Sequence, residues 1–169
     1  MIRRHISTFS AMAVLGLAFS TGSAIAQTKS LKDQLVGMWT LVSETDITSD
    51  GKKSEGFGPN PLGAYIFDAG GHFAQMLMRA DLPKFDNRLQ GTPDQNKAVA
   101  QGSVAYYGTY TVDEAAKVVN VHILGGSFAK FNGTDGKRVI TGLAADELKF
   151  TNPATSGGTS AETVWRRAK

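Results

Sequence analysis

Segments in which apolar and polar residues alternate make up most of the chain after residue 36. Alternation with a period of two, in short segments rich in β-branched and aromatic residues, is typical of strands with one face in a core. Turn pairs such as Asp50-Gly51 and Asn132-Gly133 separate the segments and favour antiparallel hairpin neighbours. The pattern therefore predicts eight strands, at 38–44, 63–67, 72–79, 106–112, 118–124, 138–143, 147–151 and 162–167.

Two helices are predicted beside these strands. Ser30 is a candidate N-cap for a short helix over 30–36, which has an acidic first turn and apolar residues at helical spacing. The second helix lies in the long interval between the third and fourth strands, where Thr92, Pro93 and Gln95 have the spacing of a capping box. This insertion is either a lid over an opening or a plain crossover connection.

A sheet of many short strands must protect its edges, and closure into a barrel removes them. We therefore expect an all-β fold, an antiparallel up-and-down β-barrel of about eight to ten strands with a short N-terminal helix and one helical insertion. A barrel of this size either fills its lumen with side chains or holds one small ligand.

Residues 1–26 have the pattern of an export signal. A basic start at Arg3-Arg4 precedes the apolar run 11–19, and Ala24-Ile25-Ala26 supplies small residues for cleavage. The apolar run is far shorter than the roughly 20 residues that cross a bilayer. We expect a cleaved signal peptide, a barrel domain over 27–169, and a periplasmic or secreted protein with no membrane insertion of the mature chain.

Charge and composition narrow the range of partners. The formal net charge of +3 falls to near +1 after cleavage, because Arg3 and Arg4 leave with the signal and no acidic residue does. No cluster of lysine and arginine with interleaved aromatic residues is present, so no nucleic-acid partner is expected. The chain has no cysteine, which excludes disulfides and thiolate chemistry. No feature of the sequence selects an oligomeric state.

Several short motifs follow one another in order along the mature chain, namely Gly37-Met38-Trp39, Pro61 to Tyr65, Tyr106 to Tyr110, His122, Arg138 and Trp165-Arg166-Arg167. In this order they resemble the bacterial and fungal lipocalin-like domain proteins, which are related to the lipocalin barrels. The resemblance implies a barrel that binds small, often apolar molecules. It also implies a structural pair at the barrel base, in which Arg166 or Arg167 lies against the ring of Trp39.

Four residues are candidate ligand contacts on the strand pattern. Tyr106 and Tyr110 share the more lumen-like face of their strand, so their hydroxyls face either a ligand or partners inside a packed core. Met76 and Met78 share a face with His72. Their flexible thioether side chains suit an adaptable binding wall and equally suit ordinary core filling.

His122 and Arg138 match polar positions of the family and are further candidate ligand contacts. Together with Tyr110 they suggest an alternative function, an isomerase or cyclase acting on a small apolar metabolite. His122 would be the base, Tyr110 the acid, and Arg138 the group that stabilises an oxyanion. The more apolar face of that strand is the other one, formed by Val119, Val121 and Ile123. If that face is inward, His122 points to solvent.

The sequence favours binding over catalysis. We expect an exported lipocalin-like protein that binds or carries a small, largely apolar or amphipathic molecule in its lumen. No cofactor is expected. No metal is expected either, because the mature chain has only His72 and His122, on separate strands, and no cysteine.

Overall fold

The computed structural model describes residues 29–169, and the predicted signal peptide over 1–26 lies outside the described residues. The described part of the chain contains two α-helices, α1 (Leu31–Leu35) and α2 (Pro93–Gly102), and one 3-10 turn at Ala129–Phe131. Its strands are β1 (Gly37–Ile47), β2 (Lys53–Ser54), β3 (Leu62–Phe67), β4 (His72–Met78), β5 (Ser103–Asp113), β6 (Val118–Gly126), β7 (Thr134–Leu143), β8 (Glu147–Asn152) and β9 (Ser160–Arg167).

Eight of the strands form a closed ring. Their order is β1-β3-β4-β5-β6-β7-β8-β9, each neighbour is antiparallel, and β9 pairs back with β1. The prediction of an antiparallel up-and-down barrel is confirmed. The extra strand, β2, pairs with the end of β1 outside the ring. It was not predicted, because a strand of two residues has no alternation to detect.

Helix α1 covers one end of the barrel, here called the closed end. The Ser30 hydroxyl accepts a hydrogen bond from the Asp33 N–H at 3.0 Å, as the predicted N-cap requires. The Glu114 carboxylate, at the end of β5, accepts hydrogen bonds from the first two backbone N–H groups of α1. Leu35, the last residue of α1, is fully buried and faces the barrel interior. These contacts fix α1 across the lumen.

Arg167 joins α1 to the barrel. Its guanidinium lies 4.0 Å from the centre of the Trp39 ring. It also donates hydrogen bonds of 2.6 to 3.0 Å to three backbone carbonyls, those of Gln34, Val36 and Ala145. Trp39 is fully buried, and its Nε1–H donates to the Leu35 carbonyl. Arg166 is exposed, so of the two arginines that the sequence leaves open, it is Arg167 that lies against Trp39.

Aromatic side chains fill the half of the lumen next to the closed end. Tyr65 stacks on Phe67 with ring centres 4.2 Å apart, and it meets the edge of Trp165 at 5.5 Å. Phe67 also packs edge-on against Tyr110 at 5.0 Å. Because protein interiors pack this densely, space for a guest is left only toward the other end of the barrel.

The open end is the one at which β4 ends and β5 begins, and α2 lies beside it. The Thr92 side chain and the Gln95 side chain each bond to the backbone N–H of the other, so the predicted capping box is confirmed. Gly102 is the one buried residue of α2, so the helix packs only lightly against the barrel. Neither helix of the described residues has the length and apolar character to span a membrane.

Candidate functional site

Strand β1 changes the phase of its inward side chains at Val42. Before this point the inward positions are the odd-numbered ones, and after it they are the even-numbered ones. The cause is a β-bulge, in which Val42 and Ser43 together oppose Val164 of β9. Glu44 and Asp46 therefore turn into the lumen. Strict alternation places Glu44 on the outer face with Val42, so the sequence reasoning missed both acids.

A cavity of about 150 Å³ occupies the open half of the lumen. Phe57, which follows β2, and Val104 at the start of β5 lie at its mouth, next to a crevice of about 670 Å³ beside α2. An apolar cavity of about 150 Å³ is known to hold benzene, so the space accepts a guest of about six heavy atoms. Its polar walls are formed by Glu44, Asp46, Gln75, Tyr106, Arg138 and Asn152.

Arg138 is the cationic side chain of this cavity, and only 5% of its surface is exposed. Its Nη1 donates to the Lys137 carbonyl at 2.8 Å and to Asn152 Oδ1 at 3.0 Å, and its Nη2 donates to Tyr106 Oη at 2.8 Å. A guanidinium has five N–H groups, so these bonds leave two of them without an acceptor among residues 29–169, and the uncharged Tyr65 hydroxyl lies nearby. No carboxylate there is within ion-pair distance of Arg138. A buried charge of this kind is costly until an anion compensates it.

One tyrosine hydroxyl is hydrogen-bonded to Arg138, and a second lies close to it. Tyr106 Oη, which accepts from Arg138, donates in turn to Gln75 Oε1 at 2.8 Å. Tyr65 Oη is buried and has no hydrogen-bond partner in the described part of the chain. Burial raises the pKa of Tyr65, and the nearby guanidinium acts in the opposite direction. Burial also works to lower the pKa of Arg138, but Tyr106 and Tyr65 raise it above its ordinary value, so Arg138 stays charged.

Glu44 and Asp46 form a carboxyl pair on another wall of the cavity. Glu44 is 4% exposed, and its Oε2 has no hydrogen-bond partner within residues 29–169. Burial and then the proximity of Asp46 raise the pKa of Glu44 to about 7, although the backbone N–H groups of Phe57 and Gly56 oppose this. Asp46 accepts a hydrogen bond from the Thr159 hydroxyl. A Cβ at position 56 would meet Asp46 Oδ2, so glycine lets the loop close over the pair without displacing that carboxylate.

The predicted ligand contacts are only partly brought together. Tyr106 and Arg138 line the cavity. Tyr110 is buried as well, but it lies toward the closed end, where its hydroxyl donates to the Asp68 carbonyl at 2.7 Å. Its hydroxyl is therefore committed to the backbone rather than to the cavity.

His122 lies on the outer surface, which corrects its assignment to the lumen. Its ring Nδ1 is 2.8 Å from Asp135 Oδ1 across the β6–β7 pair, and both side chains are substantially exposed. The inward positions of β6 are taken by the apolar residues Val119, Val121 and Ile123. The proposed catalytic set of His122, Tyr110 and Arg138 is consequently spread over three places and does not converge.

Met76 and Met78 also lie on the outer face, so the expected methionine wall of the binding site is wrong. Met76 is 37% exposed. The phase of β4 is set by its inward residues, Phe73, Gln75 and Leu77, which are all buried. Aromatic and leucine side chains fill the core here, and the adaptable thioethers are left outside.

The ring and its cavity define an up-and-down barrel of the class that holds one small ligand. A family model described as a lipocalin-like domain matches residues 36–168, and the chain belongs to this family. The family and the fold together indicate ligand binding in general, without specifying the ligand. No curated protein matches the chain.

Solved structures with a similar fold share little sequence with this chain. A lipocalin-like protein from Bacteroides uniformis is 12% identical, and the match covers 80% of this chain and 99% of that one with a TM-score of 0.44. A second Bacteroides uniformis protein, solved by NMR, is 16% identical over 83% of this chain and 94% of its own, with a TM-score of 0.43. A redesigned β-barrel, mFAP1, bound to DFHBI, is 16% identical. The match covers 82% of this chain and 100% of that one, with a TM-score of 0.42.

Proposed function

We propose that this protein is an exported binding protein, which holds a small molecule by its acidic group in the open half of the barrel. The observation that carries the proposal is Arg138, which is buried, faces the cavity, and has no carboxylate partner among the described residues. A carboxylate on the guest supplies the missing anion and accepts the N–H groups that the protein leaves without an acceptor.

The shape of the cavity supports an amphipathic guest rather than a purely apolar one. Phe150 offers an apolar wall in the depth of the cavity, and Leu77 and Phe57 offer others toward the open end. Tyr106 and Arg138 place polar groups between them. Ligand sites commonly combine apolar walls with a few convergent polar groups that fix the orientation of the guest. The guest is thus a small acid with an apolar body.

Matched acids and amides test this assignment. Butyrate and γ-aminobutyrate are each compared with the corresponding primary amide by isothermal titration calorimetry at pH 7. Each pair has nearly the same shape and differs in the charge that Arg138 recognises. We expect at least one acid to bind about tenfold more tightly than its amide, because a charge-assisted hydrogen bond is stronger than a neutral one. If no acid is preferred to its amide, the proposed function is wrong.

Two variants complete the test. Arg138→Met keeps a side chain of similar length without charge and is expected to bind acid and amide equally. Arg166→Met makes the same change on the exposed face of β9 and is expected to keep the preference. Folding is checked by circular dichroism. Arg138→Met is expected to stay folded, because Tyr106 keeps its bond to Gln75 and an uncompensated buried charge is removed.

Export is the second part of the proposal and is supported by the basic start, the apolar run and the small residues at Ala24-Ile25-Ala26. We expect the protein, expressed in a bacterial host, to accumulate in the periplasm or medium with Gln27 as its first residue. Mass spectrometry of the intact protein from each fraction measures this. A cytoplasmic protein that retains residues 1–26 contradicts export.

A further inference from the structure

The cavity contains opposite charges that do not contact one another. Arg138 belongs to β7, and Glu44 and Asp46 belong to β1, with β8 and β9 between these strands in the ring. Within residues 29–169, neither Arg138 nor either acid takes part in an ion pair. Buried charges are normally paired, because the desolvation of an unpaired charge is costly. Arg138 forms one wall of the cavity, and Glu44 and Asp46 form another. The empty volume between these two walls is where each of them lacks an oppositely charged partner.

A simple acid compensates only one of these walls. Its carboxylate neutralises Arg138 but brings a further negative charge into a space that already holds two carboxyl groups. Like charges at short range in a poorly solvated site repel strongly. A guest that carries a cationic group beside its carboxylate removes this conflict, because the cation faces the acids while the carboxylate faces the arginine.

Glu44 Oε2 is the unpaired oxygen of the carboxyl pair and lies beneath the loop at Gly56. This oxygen is fully buried from solvent and has no hydrogen-bond partner among the described residues, although the side chain lines the cavity. An ammonium group has several N–H donors and no acceptor, so it suits an oxygen of this kind. Phe57 lines the same part of the cavity, and an aromatic ring also attracts a nearby cation.

We propose that the guest is a compact dipolar molecule of the amino-acid class, with its carboxylate on Arg138 and its cationic nitrogen on the Glu44–Asp46 carboxyl pair. This inference rests on the proposed function, since it adds a second contact to a guest that Arg138 anchors. A cavity of about 150 Å³ limits the guest to a small amino acid or a close analogue.

Three ligands that differ only in their charged ends test the inference. γ-Aminobutyrate carries both charges, butyrate lacks the amine, and butylamine lacks the acid. We expect γ-aminobutyrate, or another member of the series glycine, β-alanine and 5-aminovalerate, to bind at least tenfold more tightly than the acid and amine of matching length. The chain length of the ligand that binds most tightly indicates the distance between Arg138 and the Glu44–Asp46 carboxyl pair.

Glu44→Gln is expected to remove the advantage of the dipolar ligand over the matching acid, because it removes the contact for the cationic nitrogen and also a negative charge that repels the simple acid. Glu55→Gln, the same change at an exposed site beside the loop, is expected to keep the advantage.

Proton exchange is measured by calorimetry at pH 7 in buffers of different ionisation enthalpy. A cation favours the ionised form of Glu44, so the dipolar ligand releases protons, whereas a simple acid takes them up. The titratable and charged groups of the cavity that contribute are Glu44, Asp46, Arg138, Tyr65 and Tyr106.

The outcomes separate the two proposals. If butyrate binds as tightly as every dipolar ligand and Glu44→Gln changes neither, the inference is overturned while the function proposed for Arg138 stands. Proton uptake with the dipolar ligand also overturns the inference. If no acid, dipolar or simple, binds better than its amide, the proposed function itself fails.

Discussion

The Arg167→Ala variant is expected to lose about 4 kcal/mol of unfolding free energy. The reason is that one guanidinium holds three carbonyl groups of α1 and the β7–β8 turn, and also covers the Trp39 ring. Hydrogen bonds from a charged donor contribute about 1.5 to 3 kcal/mol each, and a cation–π contact adds about 1 kcal/mol, with losses shared because the contacts act together. Urea denaturation followed by tryptophan fluorescence measures the change.

Arg166→Ala is the matched control for this prediction. Arg166 is the preceding residue of the same strand, is exposed, and makes no side-chain hydrogen bond or ion pair within the described residues. Its replacement is expected to change the unfolding free energy by less than about 0.5 kcal/mol. Arg167→Lys keeps the positive charge but lacks the planar guanidinium. Its loss of unfolding free energy is expected to lie between those of Arg167→Ala and Arg166→Ala. Equal effects of the two alanine variants would show that Arg167 does not hold the closed end together.

The unmodified protein is expected to become less stable as the pH rises, and the Glu44→Gln variant is expected not to show this decrease. The pKa of Glu44 is about 7 in the folded protein, compared with 4.5 for an ordinary glutamate. Between these values the unfolded chain loses its proton while the folded chain keeps it, so the unfolding free energy falls as the pH increases through this range. The full effect lies above pH 7 and is on the order of 2 kcal/mol after solvent screening at the cavity mouth is allowed for.

Denaturant unfolding at pH 5 and pH 8 measures this effect. The protein is expected to be less stable relative to Glu44→Gln at pH 8 than at pH 5. Glu55→Gln is expected to follow the unmodified protein, because Glu55 is exposed. A difference between the protein and Glu44→Gln that is the same at both pH values would contradict a raised pKa at Glu44.

The barrel was predictable from the sequence because its evidence is distributed along the whole chain. Each strand has its own alternation, and turn chemistry separates the segments. Both helices were predicted from capping residues, Ser30 for α1 and Thr92 with Gln95 for α2, which act locally and need no tertiary contact. Local signals of this kind determine which elements form.

The candidate site was less predictable, because its acids depend on an irregularity. The bulge at Val42 adds one residue to β1, and a single added residue reverses the inward face of everything that follows. No property of Val42 or Ser43 marks this position. Glu44 and Asp46 share a face, because they are two residues apart on a strand, but two acids on one face favour the solvent side, so their spacing pointed away from the lumen.

The outward positions of His122 and Met76 have a different cause. Alternation divides a strand into two faces but does not say which one is inward, so the more apolar face has to decide. In β6 that rule gives the observed answer, with His122 outside. In β4 one face carries methionines and the other carries Phe73, Gln75 and Leu77. The polar Gln75 made the second face look less apolar than it is, although that face is the inward one. Gln75 is buried because Tyr106 provides its hydrogen bond, which no local pattern reveals.

Because α1 and Arg167 close one end of the barrel, the lumen is a pocket with one opening and not a channel. Under the proposed function a guest enters and leaves by one route, between Phe57 and α2 in the part of the chain that the structure describes. Loading and discharge therefore exclude each other in time.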